Sequence, residues 1–328
     1  MKRLAGVLFG VILAVVCLGL FFRGVEDPAR LWAQIAAASL PRLGLLVVAS
    51  VLHIALRSSR WRTLLGANGR GVPYSELFAA VSVGYMASLL PARVGEVLRP
   101  TMLARRTGVP LGASLSTVAA ERAVLDLPFL LVMLALALVL PSDWTGLGAH
   151  SQTDTLSTLH RLGLVALAVS IAGLALVVLL ARNRVTVDAW LRNRAALRGG
   201  RAGNVAARAM ASLLPGLAAF ESPGGVVRLA AETALIWGVV GAGIHAGIAA
   251  CGIALAPLAM LTVVPVTAFS FLLMTPGGAG TYQLAMFVVL VTLLGVTDEN
   301  AARAASLVVH AVALIPVLVL GGWYSVRR

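Results

Sequence analysis

Long apolar segments separated by short polar ones run along the whole chain. Most of them are close to the roughly 20 residues that an α-helix needs to cross a bilayer. The pattern predicts an all-α fold, a polytopic integral membrane protein that forms one transmembrane domain over residues 1–328. The segments lie at 4–22, 43–58, 76–90, 111–140, 162–181, 226–250, 257–275, 281–295 and 304–322.

Composition supports this class and excludes others. Hydrophobic residues make up 59% of the chain and charged residues only 12%, which is not the composition of a water-soluble domain. The formal net charge is +13, but the basic residues lie between apolar segments and do not form one stripe. We therefore expect no nucleic-acid partner, and we interpret the charge as a signal of membrane topology.

The arginines indicate which segments cross. If every segment crossed, the arginine-rich stretches 91–106 and 182–208 would both face outward, against the positive-inside rule. We predict instead that 76–90 turns at Leu90-Pro91 and returns through 95–104 to the cytoplasmic side. Its 15 residues make only about 22 Å of helix, short of the roughly 30 Å hydrocarbon core.

A second re-entrant hairpin completes the predicted topology. It enters from outside at 257–275, turns at Pro276-Gly277-Gly278 and leaves through 281–295. The predicted architecture has about seven spanning helices plus these two hairpins, with both termini and a basic loop at 182–210 in the cytoplasm. Arg57 and Arg60 then join the basic residues on or near the cytoplasmic side, which include all except Arg23, Arg30, Arg42, Arg161 and Arg303.

The two predicted turns resemble each other. Pro91-Ala92-Arg93-Val94-Gly95 and Pro276-Gly277-Gly278-Ala279-Gly280 both have a proline, three residues and a glycine. Hairpins that enter from opposite sides with similar turns indicate an inverted repeat. Broken backbone at membrane depth must line a protein-enclosed or water-filled cavity, so we expect each turn to do so.

Charged residues cluster near the first turn and at the start of the 111–140 segment. Each would cost roughly 2.5–3.5 kcal/mol at the centre of a lipid-facing helix. The spacing places Arg122 and Asp126 on one helix face, with Glu121 beside it. We predict a substrate-binding cavity, and the alternative is structural ion pairs with arginines that extend to the headgroups. The predicted residues are Arg93, Glu96, Arg99, Glu121, Arg122 and Asp126.

The second turn is a candidate anion site. The first amides of the helix that follows it would carry partial positive charge and unpaired N–H donors, which suit a phosphate or carboxylate. The alternative is a kinked helix that packs closely through glycine. The predicted substrate-binding residues here are Pro276, Gly277, Gly278, Gly280, Tyr282 and Gln283.

Other chemistry finds no support in the sequence. It contains no cluster of cysteine and histidine for a metal, no glycine pattern for a nucleotide and no Ser-His-Asp set. We expect no metal, no cofactor and no enzymatic activity within this chain.

Four motifs together resemble the lysylphosphatidylglycerol synthase transmembrane region family, and the resemblance covers nearly the whole chain. The resemblance implies a flippase-like domain of the bacterial inner membrane that moves a lipid between leaflets. The sequence ends at Arg328 after the last apolar segment, so we expect a stand-alone member without the synthase domain. The motifs are Arg57-Ser58-Ser59-Arg60-Trp61, Leu90-Pro91-Ala92-Arg93-Val94-Gly95-Glu96 with Arg99, Glu121-Arg122 with Asp126, and Thr275-Pro276-Gly277-Gly278-Ala279-Gly280.

One departure from the family concerns Gln283, where the family often has a glutamate. We expect no acid–base role at this position, because an amide does not exchange a proton as a carboxylate does.

Three functions remain open from the sequence. The leading hypothesis is a lipid translocase in which Arg93 and Arg122 balance the phosphate charge of a membrane phospholipid or lipid-linked substrate. In this hypothesis Glu96 and Asp126 are candidates for proton coupling. The second is an intramembrane enzyme that uses carboxylates, and the third is a non-catalytic membrane subunit. The expected partners, besides lipid, are a second copy of the chain or a separate soluble synthase.

Overall fold

A computed structural model describes residues 2–90, 94–141, 145–146, 153–183, 185–187, 189–190, 193, 214–273 and 275–327. These residues form helices joined by short connections, and they include no β-strand. Seven helical segments among them are long and apolar enough to cross a membrane. The prediction of a polytopic all-α membrane protein is confirmed. The seven segments are Gly6–Arg23, Leu40–Gly69, Leu111–Val139, Gly163–Arg182, Pro223–Ala250, Pro276–Leu293 and Glu299–Val326.

The α-helices follow the apolar segments closely. Two π-helical turns, Glu121–Asp126 and Val289–Leu293, interrupt or extend them. In chain order the α-helices are α1 (Lys2–Arg23), α2 (Pro28–Ala36), α3 (Leu40–Leu65), α4 (Tyr74–Ala87), α5 (Val94–Thr107), α6 (Leu111–Ala120), α7 (Leu127–Val139), α8 (Thr153–Arg182), α9 (Pro223–Ala250), α10 (Met260–Ser270), α11 (Thr281–Val288) and α12 (Glu299–Val326).

Local sequence explains several helix starts. The side chain of Ser222 accepts a hydrogen bond from the Gly225 amide and so caps α9, with Pro223 in the first turn. Asp298 caps α12 through a 3.0 Å hydrogen bond from the Ala301 amide. That bond holds the pKa of the Asp298 carboxyl below its ordinary value. These caps fix where two long apolar helices begin.

The first predicted hairpin is present. Its arms, α4 and α5, have 14 residues each, or about 21 Å, too short for a roughly 30 Å hydrocarbon core. They cross in direct contact, since a Cβ on Gly95 would overlap the Gly84 carbonyl oxygen. Glu76, near the start of α4, lies 3.5 Å from Arg106, near the end of α5. The hairpin therefore starts and finishes at the same end of the bundle.

One of the seven segments that are long enough to cross a membrane belongs to the second hairpin. Its returning arm is Pro276–Leu293, which combines the 3₁₀ turn Pro276–Gly278 with α11 and a π-helical turn. Gly277 and Gly280 have positive φ angles of 58° and 78°, which break the helix at the turn. The other six long segments coincide with predicted spans, which is one span fewer than the roughly seven expected beside the two hairpins. The predicted location of both termini in the cytoplasm stays a prediction.

Contacts at the two ends of the bundle agree with this topology. At one end, Arg106 Nη2 donates a 2.7 Å hydrogen bond to the carbonyl oxygen of Arg327, so α5 and α12 finish together. At the other, Arg42 Nη1 donates to the Ala249 carbonyl oxygen at 2.6 Å, where α3 begins and α9 ends. The predicted basic loop 182–210 lies mostly outside the described residues.

Each hairpin has its own apolar core. Around the first hairpin, Leu77 and Leu103 pack with residues of α3 and α9 such as Ile54 and Leu229. Around the second, Met286 and its neighbours pack with α9, α10 and α12. Because α9 contributes to both cores, it joins the two halves of the molecule.

The topology predicts that Arg105 and the chain termini are cytoplasmic, whereas Ala36, in α2, is external. Both side chains are exposed, so each can be replaced by cysteine after Cys17 and Cys251 are changed to alanine. In intact cells an impermeant thiol reagent should label Ala36→Cys and leave Arg105→Cys unlabelled. Labelling of Arg105→Cys from outside would contradict the re-entrant arrangement of the first hairpin.

Candidate functional site

Two buried carboxylates form the centre of a charge cluster. Glu121 is fully buried and is shared by three arginines. Its Oε1 accepts hydrogen bonds from Arg57 Nη1 at 2.6 Å and Arg60 Nη2 at 3.1 Å, and its Oε2 accepts one from Arg99 Nη2 at 2.5 Å. Arg57 and Arg60 lie on α3 and Arg99 on α5, so Glu121 ties the first hairpin to α3.

Asp126 repeats this arrangement. Its carboxylate accepts from Arg57 Nη1 at 2.5 Å, Arg60 Nη2 at 2.8 Å and Arg122 Nη1 at 3.1 Å. Arg122 and Asp126 therefore lie on one face, as predicted, and form the ion pair that the alternative interpretation expected. Asp126 lies near the middle of the Leu111–Val139 segment, so the cluster is at membrane depth.

A π-helical turn explains why both carboxylates face α3. In an α-helix, residues five apart are rotated by about 140° from each other. The wider π-helical turn Glu121–Asp126 brings its first and last residues onto one buried face. Arg122 then lies at the rim, with its side chain 40% exposed. The sequence analysis placed Glu121 beside that face because it assumed a regular α-helix.

Sequence reasoning missed Arg57 and Arg60 as site residues and used them only as evidence of topology and as part of a family motif. The structure buries both, at 1% and 0% exposure. Their three-residue spacing on an apolar helix was the signal that could have found them, because it places two cations on one face. Thr233 extends the site onto α9, since its Oγ1 accepts from Arg60 Nη1 at 2.8 Å.

Aromatic rings pack against two of the buried arginines through cation–π contacts. The Arg99 guanidinium lies 4.1 Å from the centre of the Trp61 ring, and that of Arg57 lies 5.5 Å from the Trp237 ring. Arg57 Nε donates a 3.0 Å hydrogen bond to His53 Nε2, so this histidine nitrogen acts as an acceptor. The guanidinium groups are thus held in place on several sides.

The cluster carries more positive than negative charge. Of the described residues, three buried arginines face two buried carboxylates, and the rim adds the balanced pair of Arg122 and Glu96. The excess is one positive charge. An uncompensated charge at this depth is costly, so the cluster favours the approach of an anion.

A small cleft adjoins this cluster, where the two arms of the first hairpin approach α6. Its walls come from α4, α5, α6 and the first π-helical turn. The structure therefore brings Glu96, Arg99 and Arg122 together at one cleft, as predicted, whereas Arg93 lies outside the described residues. The polar and charged lining residues are Tyr85, Ser88, Glu96, Arg99 and Arg122.

The second turn is organised around Gln283 and a histidine that the sequence did not single out. Gln283 Oε1 accepts from the Gly280 amide at 2.8 Å, and its Nε2 pairs with His310 Nδ1 at 2.8 Å. His310 Nε2 lies 3.0 Å from the Gly277 carbonyl oxygen. A carbonyl can only accept, so Nε2 carries the proton and Nδ1 accepts from the glutamine.

These contacts change the interpretation of the predicted anion site. The Gly280 amide, expected to face a ligand, is already paired with the Gln283 side chain. Tyr282 stacks on His310 with ring centres 4.5 Å apart, and Gly278 is buried in the turn that begins at Pro276. In this structure the polar atoms of Gln283 brace the turn. The binding role assigned to this turn remains a prediction.

The tips of the two hairpins meet. A Cβ built on Gly277 would lie 3.4 Å from Leu89 Cδ2, at the end of the first arm of the first hairpin. The sequence analysis expected each turn to line a cavity. The described lining of the cleft instead comes from the first hairpin, α6 and the first π-helical turn.

A family comparison agrees with this geometry. The family model described as Lysylphosphatidylglycerol synthase TM region matches residues 7–321. The chain belongs to this family. The lysylphosphatidylglycerol synthase TM region match includes both hairpins and every member of the charge cluster, and it links this membrane protein to lipid handling. No curated protein matches the chain closely enough to count as a relative.

Glu121→Gln tests the charge cluster. The change leaves Arg57 and Arg60 paired with Asp126 alone and removes the carboxylate that pairs with Arg99, so we expect a loss of about 3–5 kcal/mol in unfolding free energy. Glu76→Gln is the control, because its partner Arg106 is partly exposed and such pairs contribute about 1 kcal/mol or less. Thermal unfolding in detergent measures both. Equal melting temperatures would contradict the central role of Glu121.

Gln283→Leu tests the bracing of the second turn. It leaves the Gly280 amide and His310 Nδ1 without their partner, at a cost of about 1–3 kcal/mol for each buried group. The control is Gln34→Leu, which removes one partly buried hydrogen bond to Asp298 near the end of the bundle. We expect Gln283→Leu to lower the melting temperature more. The opposite order would show that the second turn does not depend on its glutamine.

Proposed function

We propose that this protein moves a lipid, or the headgroup of a lipid-linked molecule, between the leaflets of the bacterial inner membrane. Membership of the family supports a role in lipid handling. The observation that carries the proposal is the cleft of the first hairpin, where Arg99 and Arg122 present positive charge at membrane depth.

The geometry suits a headgroup that crosses while its tails stay in lipid. A bare charge at the bilayer centre is costly, and a polar cleft reduces this cost by replacing water with protein donors. The arms α4 and α5 are too short to span the hydrocarbon core, so in this proposal the headgroup enters the cleft from one side of the membrane. The closeness of Gly277 to Leu89 supports a path that continues along the second hairpin.

The hydrogen bonds of the two buried carboxylates favour a role in transport over a role in catalysis. Each buried carboxylate accepts hydrogen bonds from three arginines. Protonation of either would leave several cations without a counter-charge, which disfavours acid–base chemistry at Glu121 or Asp126. The same argument disfavours Asp126 as the proton-coupling group.

Arg122→Ala should slow lipid movement. It removes a partly exposed cation from the cleft wall while Asp126 keeps Arg57 and Arg60. Loss of one charge-assisted contact costs about 1.5–3 kcal/mol, or roughly ten- to a hundred-fold in headgroup affinity. The measurement is the leaflet exposure of fluorescent phosphatidylglycerol in proteoliposomes, after insertion has been verified.

Arg228→Ala is the matched control for that experiment. Arg228 pairs with Glu232 four residues later at 3.1 Å, as Arg122 does with Asp126, but its side chain is 64% exposed and lies outside the cleft. We expect this variant to transport as the wild type does. Equal rates for the two variants, or no movement by the wild type, would contradict the proposed function.

A further inference from the structure

One ion pair of the charge cluster differs from the others. Arg122 Nε lies 3.6 Å from Glu96 Oε1 at the rim of the cleft, and the two side chains are 40% and 32% exposed. Among the described residues of the cluster, every other arginine–carboxylate pair is 2.5–3.1 Å long and includes a carboxylate that is at most 5% exposed. The rim pair is therefore the longest and the most accessible.

This difference determines which carboxylate can be exchanged. Displacing Glu121 or Asp126 would break three contacts at once and leave a buried charge unpaired, which is strongly unfavourable. Partly exposed pairs such as Arg122 with Glu96 contribute little net free energy, because water competes with them. An incoming anion can therefore replace Glu96 at small cost.

We propose that Glu96 is a tethered counter-ion, which an anionic phosphate oxygen of the substrate replaces on Arg122. The inference rests on the proposed function and adds the substrate class, a phospholipid headgroup with a net negative charge. Selection follows from competition, since a headgroup without net negative charge gains too little from Arg122 to displace a carboxylate.

Charge balance permits this exchange. With Glu96 on Arg122, the described cluster has an excess of one positive charge. A phosphodiester that replaces Glu96 on Arg122 brings the same single negative charge, so the charge of the cluster does not change. The released Glu96 side chain is already about one-third exposed at the cleft mouth, where water can solvate it. Both carboxylate and phosphate match the planar guanidinium group, so the two compete for the same donors.

The test is equilibrium binding to the whole protein in a neutral detergent, measured by titration calorimetry. The probes are short-chain phosphatidylglycerol, short-chain phosphatidylcholine and inorganic phosphate. Glu96→Gln should bind phosphatidylglycerol about two- to fivefold more tightly than the wild type, because it removes the competitor. Its affinity for phosphatidylcholine should not change. Unchanged or weaker binding of phosphatidylglycerol by Glu96→Gln would overturn the inference.

Glu76→Gln is the matched control. The Glu76–Arg106 pair also involves a residue of α5, and its length of 3.5 Å and its exposures of 33% and 30% resemble those of the rim pair. It lies outside the cleft. It should bind phosphatidylglycerol as the wild type does. If it tightens binding as much as Glu96→Gln does, general electrostatics is responsible and the inference fails.

If Glu96→Gln does not fold, a second variant can replace it in the binding test. Glu96→Asp keeps the charge on a shorter side chain that reaches Arg122 less well, so it should also tighten binding. No tightening in Glu96→Asp would then overturn the inference.

The binding assay separates this inference from the proposed function. Tighter phosphatidylglycerol binding without lipid movement in proteoliposomes would support the exchange and contradict transport. Inorganic phosphate that binds as tightly as phosphatidylglycerol, with the same dependence on Glu96, would likewise support the exchange and identify free phosphate as the ligand. Lipid movement without tighter binding would overturn the exchange alone.

Discussion

Charged side chains at membrane depth must be paired, and in this protein the pairing of buried arginines with two carboxylates determines how the helices around the first hairpin pack. Arg57, Arg60 and Arg99 come from two different helices and converge on Glu121 and Asp126. Because neither carboxylate can lose its partners cheaply, the contacts fix the position of α5 against α3 and against the π-helical turn. The short hairpin, which is too short to be held by spanning the bilayer, is thereby anchored at its charged arm.

Anchoring one arm also creates the cleft. Gly84 and Gly95 bring the arms into backbone contact, and the space beside this contact is lined by side chains that the charge cluster orients. The second hairpin solves a different problem, since its broken backbone must satisfy polar groups inside the protein. Gln283 and His310 do so with hydrogen bonds to Gly280 and Gly277. One hairpin therefore exposes its polar groups to a cleft, whereas the other uses them internally.

The sequence predicted the spans and both hairpins, because apolar length and arginine bias follow directly from bilayer physics. It also predicted that Glu96, Arg99 and Arg122 belong together. It did not predict that Glu121 and Asp126 share one face, since a π-helical turn leaves no periodicity signal in six residues. Local spacing also could not show that partners of these carboxylates lie on α3. Nor could it show that the Gly280 amide donates a hydrogen bond to the Gln283 side chain. Both contacts depend on tertiary packing.

The central claim is that a lipid headgroup enters the cleft of the first hairpin. The most direct measurement is photocrosslinking in proteoliposomes with a phosphatidylglycerol that carries a photoreactive group on its headgroup, followed by mass spectrometry of the labelled peptides. The account predicts labels on cleft residues such as Tyr85, Ser88 and Glu96, and their loss when an excess of unlabelled phosphatidylglycerol is added. Labels confined to the lipid-exposed surfaces of α1 and α8, with none in the cleft, would contradict it.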